Sequence, residues 1–175
     1  MDTGLIHIYC GDGKGKTTAA LGLTIRCAGR GGRIIFAQFL KSRDTGEIQA
    51  LQRFDTIAVM RGKGTPKFTF QMTPAELAQV KDEQTRLLHQ VLARCRRETP
   101  NLLVLDEILP ACSLGLLAED EVVNFLKTKP ATVEVVMTGR NPSQRFLDMS
   151  DYVSEICKRR HPFDRGIHAR IGIEE

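Results

Sequence analysis

The sequence has no run of about 18 apolar residues, so no helix of it is expected to span a membrane. It has no internal repeat, no low-complexity stretch and no tryptophan. None of its five cysteines (Cys10, Cys27, Cys95, Cys112, Cys157) forms a C-x-x-C pair, and their number is odd. That argues against a zinc site or a disulfide framework and for free thiols in a reducing compartment. The start, Met1-Asp2-Thr3-Gly4, lacks the basic region, apolar core and cleavage site of a signal peptide, so a cytoplasmic location is expected. His7, His89, His161 and His168 lack metal-ligand spacing, and no Ser-His-Asp or Cys-His arrangement can be argued. The net charge of +4 suits an anionic ligand but is too small to indicate a nucleic-acid partner.

What is present is an alternation of strand-like and helix-like segments in 175 residues, enough for one domain spanning 1–175. The alternation predicts an α/β fold with a mainly parallel sheet flanked by helices. Strands are expected at 5–9, 33–39, 56–60, 102–105, 132–137 and 152–157. Helices are expected at 16–28, from about 47 to 54, at 74–97, 119–127 and 143–149. In the first helix Ala19, Ala20, Leu23 and Cys27 are expected to share the buried face. Thr73-Pro74-Ala75-Glu76 reads as a capping box with proline at the first helical position. Leu77, Val80, Leu88, Val91, Leu92 and Cys95 then recur at helical spacing. Residues 62–71 read as a connector, and 161–166 as a tail.

Gly11-Asp12-Gly13-Lys14-Gly15-Lys16-Thr17-Thr18 lies between the first strand and the first helix, where a phosphate-binding loop must lie. Glycines let successive N–H groups curl around phosphate oxygens, and the helix N-terminus favours negative charge. Lys16 supplies a charge to the phosphates, and the Thr17 hydroxyl can serve a magnesium ion. The usual pattern places a glycine where Cys10 stands. Leu102 to Leu105, closed by Asp106-Glu107, looks like a Walker B element, with either carboxylate able to hold the metal. Thr138-Gly139-Arg140 ends a strand, which would set Arg140 against the triphosphate. Phe68 and Phe70 sit in a polar context, as ligand-facing aromatics often do.

Together these motifs resemble one family, the ATP:corrinoid adenosyltransferases of the cobinamide/cob(I)yrinic acid a,c-diamide type. The resemblance runs from Ile6 to Ile173. Its further landmarks are Gln38-Phe39-Leu40-Lys41, Gly46-Glu47 and the tail His161-Pro162-Phe163-Asp164-Arg165-Gly166-Ile167 through Gly172-Ile173. It implies a RecA-like P-loop domain, typically a homodimer. It implies ATP, magnesium (or manganese) and a corrinoid substrate, whose Co(I) attacks C5′ of ATP and releases triphosphate. Gly11 to Thr18, Lys41, Glu47 and Arg140 would bind the nucleotide, with Lys16 stabilising the leaving group. Thr17, Asp106 and Glu107 would hold the metal. Phe68 and Phe70 would lie under the corrin and exclude an axial ligand from cobalt; Phe70 stands where well-known members carry tryptophan. The electron donor would be a reduced flavin or flavodoxin. Two other readings of the same loop are a P-loop phosphotransferase on a small molecule and a RecA-type ATP-dependent binding module. A zinc-containing nucleoside kinase is disfavoured by the absence of paired cysteines.

Overall fold

A computed structural model describes residues 3–41, 45–62 and 71–174. The strands are β1 (Ile6–Cys10), β2 (Ile34–Gln38), β3 (Ile57–Arg61), β4 (Leu102–Asp106), β5 (Glu134–Thr138) and β6 (Tyr152–Glu155). The helices are α1 (Lys16–Ala28), α2 (Gly46–Leu51), α3 (Pro74–Glu98), α4 (Ile108–Ser113), α5 (Glu119–Thr128) and α6 (Gln144–Asp148). The six strands form one sheet in the order β3-β2-β4-β5-β1-β6. Every pairing in it is parallel. The expected "mainly parallel" sheet is thus wholly parallel among the described residues.

The strand order follows from the sequence pattern. β2 and β4 are buried at every position, as an unbroken apolar run requires when helices cover both faces. They lie at the middle of the sheet. β6 is exposed along its length and takes an edge. One face packs Ile8, Ile35, Leu103, Leu105 and Val135 against Leu88, Val91 and Phe125. The other packs Phe36, Val104 and Val136 against Ala20 of α1 and Ile48 and Leu51 of α2.

The capping box forms as expected. Thr73 Oγ1 accepts from Glu76 N–H, and the Glu76 carboxylate accepts from Thr73 N–H. Val80, Leu88, Val91, Leu92 and Cys95 are buried, whereas Leu77 is only half-buried. In α1 the expected face needs correction. Ala20 and Thr24 are the buried pair, four residues apart, and Ala19 faces solvent. α4 is a second correction, since no helix was expected after Asp106-Glu107. Pro110 reads as a breaker, yet it occupies the first turn, where its missing N–H has no intrahelical acceptor to lose. The tail contains one 3-10 turn, Pro162–Arg165.

Phe68 and Phe70, and with them the expected corrin-facing aromatics, lie outside the described residues. All five cysteines are free. Among the described residues no helix is long and apolar enough to cross a membrane.

Candidate functional site

A parallel sheet delivers its strand ends to one edge, and ligands collect beyond the carboxyl ends. Here the register aligns Gln38, the last residue of β2, with Asp106, the last of β4. It also aligns Tyr9 of β1 with Thr138, the last of β5. An open cleft of about 470 Å³ lies at this edge, lined by loop residues 12–18, Lys41, Glu47, Glu107 and Arg140, and by the tail.

The loop from Gly11 to Gly15 is shaped by its neighbour as much as by its own sequence. Gly13 N–H donates to Ile156 O at 2.7 Å, and Ile156 N–H donates to Cys10 O at 2.8 Å. The chain leaving β6 therefore runs directly beneath the loop. A Cβ on Gly11 would lie 2.5 Å from Ile156 O, and one on Gly13 would lie 2.7 Å from it. Gly11 also has φ +104, a conformation that side chains disfavour. The glycine that this turn needs is Gly11, one place after the expected position. Cys10 is the buried last residue of β1.

The sequence-predicted nucleotide residues separate into two groups. Asp12, Gly13, Lys14, Gly15, Lys16, Thr17, Thr18, Lys41, Glu47 and Arg140 all line the cleft, and Gly11 does not. Asp12 has a structural task as well: its Oδ1 accepts from Lys158 N–H at 2.8 Å, a second tie to the chain after β6. Lys16 Nζ donates to Gly13 O at 2.8 Å. Burial and the nearby Arg140 charge hold the Lys16 ammonium below the ordinary lysine value, while Glu107 and Asp12 act against them. A cation partly desolvated beside another cation gains from an incoming phosphate.

Asp106 is fully buried. Its Oδ1 accepts from Thr17 Oγ1 (2.8 Å) and Thr138 Oγ1 (2.7 Å). Its Oδ2 accepts from Gln38 Nε2 (2.9 Å) and Lys41 Nζ (3.0 Å). Burial pushes this carboxyl up, but the Lys41 charge and these hydrogen bonds outweigh it and hold the group below its ordinary value. Its neighbour Glu107 has the opposite balance. Burial pushes Glu107 up and the Asp106 charge adds to that, with Lys41 only partly offsetting them. Glu107 takes a left-handed backbone, φ 61, and its N–H donates to Thr138 Oγ1 at 3.0 Å.

Oxygen donors at Thr17, Asp106 and Glu107 suit a hard divalent cation. Gln38 Oε1, on the side chain that holds Asp106, is buried without a donor among the described residues. An acceptor of this kind suits the water that such an ion carries. The residues present therefore fit magnesium or manganese.

The tail was a landmark of the resemblance, and the structure gives roles at the site to further landmark residues. Gln38 and Thr138 were landmarks without a role, and the structure makes them ligands of the Asp106 carboxylate. His161, Gly172, Ile173 and Glu174 bring the tail to the cleft. The periodicity of a short irregular tail carries no signal for this, and only the pairing of β6 with β1 directs it there.

Gly139 fixes where Arg140 emerges. It has φ +144, and a Cβ there would lie 2.1 Å from Pro110 Cδ and 2.9 Å from Leu109 Cβ. Gly139→Ala is expected to cost about 2–4 kcal/mol from strain and overpacking together. Urea unfolding checks this, and an unchanged midpoint would contradict the contact with α4.

The family model of the ATP:corrinoid adenosyltransferases BtuR/CobO/CobP matches residues 2–174. A protein of Nostoc described as uncharacterized is 37% identical over 174 residues, which are 91% of this chain and 45% of that one. The chain thus spans less than half the length of that relative. The corrinoid adenosyltransferase of Escherichia coli K12 is 30% identical over 178 residues, 99% of this chain and 86% of its own. That of Salmonella typhimurium has the same identity and coverage. Among solved structures, the cytoplasmic domain of EssC superposes with TM-score 0.55 at 13% identity, over 95% of this chain and 34% of that one. ATPases 2 and 3 of EssC from Geobacillus thermodenitrificans give 0.51 at 11% identity, over 98% and 36%. These two likenesses bear on the α/β fold alone and say nothing about the reaction. The match that runs from the first strand through the tail is more specific, and by it the chain belongs to the ATP:corrinoid adenosyltransferase family.

Proposed function

We propose that the protein transfers the 5′-deoxyadenosyl group of ATP to the Co(I) of a corrinoid, releasing triphosphate. The observation that carries this reading is the cleft itself. Family membership supplies the reaction class, and cations at Lys14, Lys16, Lys41 and Arg140 line the space where a triphosphate would be held. Alkyl transfer at carbon needs a stabilised leaving group and an aligned nucleophile. The electron pair of Co(I) forms the new cobalt–carbon bond. The C5′–O bond breaks, and its pair leaves on triphosphate.

In this reading the N–H groups of the loop and the α1 N-terminus receive phosphate oxygens. Lys16 and Arg140 offset the charge that grows on the leaving group. Thr17, Asp106 and Glu107 hold magnesium, which neutralises phosphate charge when bound. Phe68 and Phe70 face the corrin. The substrate is cobyrinic acid a,c-diamide, cobinamide or cobalamin, and a reduced flavin or flavodoxin supplies the electron. The working unit is a single-domain protomer in a cytoplasmic homodimer, acting in synthesis or salvage of the cofactor.

A second reading, transfer of the terminal phosphate to a small molecule or water, is favoured by Glu107. A carboxyl pushed up by burial is suited to act as a base. The two readings differ in products. With ATP, magnesium and a chemically reduced corrinoid, adenosyl transfer predicts an alkylcobalt spectrum and intact tripolyphosphate. Formation of ADP with an unchanged corrinoid spectrum would replace the first reading with the second.

A further inference from the structure

Asp106 has no acceptor position left. Its two oxygens offer about four lone-pair directions, and Thr17, Thr138, Gln38 and Lys41 fill them. A metal can reach this carboxylate only if one donor leaves. Gln38 and Thr138 are fully buried, and Thr17 is fixed in the first turn of α1. Lys41 alone is a long, flexible side chain, 33% exposed, at the wall of the cleft.

The place of its ammonium is specific. Lys41 Nζ lies 3.2 Å from Thr17 Oγ1, 3.0 Å from Asp106 Oδ2 and 3.8 Å from Glu107 Oε1. These are the same three residues that fit the divalent cation. The backbone is arranged to send the lysine there. Leu40 takes a left-handed conformation, φ 59, which a branched side chain adopts only at a cost. Its N–H is held by Oε1 of the buried Gln84 at 3.1 Å. The preceding N–H, of Phe39, donates to Asp106 O at 2.9 Å. A strained turn pinned on both sides thus aims one cation at three oxygens.

We propose that Lys41 is a tethered stand-in for the divalent cation. Its ammonium keeps the Thr17–Asp106–Glu107 site neutralised while no metal is there, and swings into the phosphate cleft when metal enters. Two cations repel strongly at such separations in a partly buried site, so metal and lysine exclude one another from the three oxygens. Arrival of the metal therefore releases a phosphate-binding charge at the moment the nucleotide needs it. The proposal rests on the metal assignment above and not on the identity of the alkyl acceptor.

The test uses the full chain with Mn2+ alone, without nucleotide or corrinoid. Binding is read from loss of the free-ion electron paramagnetic resonance signal. Lys41→Met, of similar length and uncharged, is expected to bind Mn2+ about tenfold tighter or more than the unaltered protein, since ligand and side chain compete for one place. Brief acylation of the unaltered protein, mapped by mass spectrometry, gives a readout that needs no variant. Lys41 labelling should rise several-fold as Mn2+ is added, while labelling of Lys81 and Lys127 stays constant. Equal Mn2+ affinities would overturn the proposal, and so would Lys41 labelling that is unchanged or falls. Tightening without adenosyl transfer leaves this proposal standing and removes the proposed reaction; transfer without tightening does the reverse.

Discussion

Lys16→Ala is expected to abolish adenosyl transfer while the protein stays folded. Lys16 opens α1, where alanine is at least as good a helix former. Among the described residues its ammonium donates to Gly13 O, a carbonyl that solvent can serve at the open cleft. The fold therefore loses little, and melting should shift by no more than a few degrees. The proposed reaction loses a charge held partly desolvated beside Arg140, where it would act on the leaving triphosphate. Loss of one such preorganised group costs about 10²–10³ in rate. The measurement is the rate of corrinoid spectral change with ATP, magnesium and pre-reduced Co(I), paired with a circular dichroism melt. Normal turnover in this variant would remove the loop from the reaction.

The second large effect is on stability. Asp106→Ala is expected to cost about 3–5 kcal/mol, because it leaves the Lys41 charge and three polar side chains around a vacated anion. For a chain of this size that is a drop in melting temperature of about 6–20 °C. Asp106→Asn keeps the shape and isolates the charge. The Lys41 charge and the four hydrogen bonds hold the folded carboxyl below the ordinary aspartate value that the unfolded chain keeps. Its stabilisation is therefore present above that pH and is lost as pH falls through the lower folded value. The stability gap between the unaltered protein and the asparagine variant should be widest near neutrality and should narrow below about pH 4. A gap independent of pH would mean that the charge of Asp106 is not what the four donors hold.

The pattern of what could be read from the chain has a physical cause. The β4 strand and the Thr73 cap each express themselves within a few consecutive residues and form as read, and the loop at Gly11 to Thr18 joins β1 to α1 where it was expected. The Asp106 cluster does not, because its members are 32, 65, 68 and 89 residues from Asp106. Only strand register brings Gln38 level with Asp106. α4 went unread because it is only six residues long and carries Pro110 in its first turn, too short a segment for helical spacing to show. Ala19 was misplaced because alanine on either side of a narrow buried face fits the same spacing. The glycines were read as room for phosphate oxygens, but the backbone that Gly11 and Gly13 also make room for lies more than 140 residues away, at Ile156.

That last contact sets an order of events in time. A ribosome releases β1 and the loop more than 140 residues before Ile156 and Lys158, yet these two close the loop, the Lys158 N–H reaching Asp12 across 146 positions. Contacts so distant in sequence form late, after the chain between them has been ordered. While the segment from α1 to β6 is being made, the nascent protein would carry its most recognisable motif without the ability to grip a nucleotide. ATP binding, followed on stalled chains of increasing length, should appear only once the segment beyond β6 has emerged.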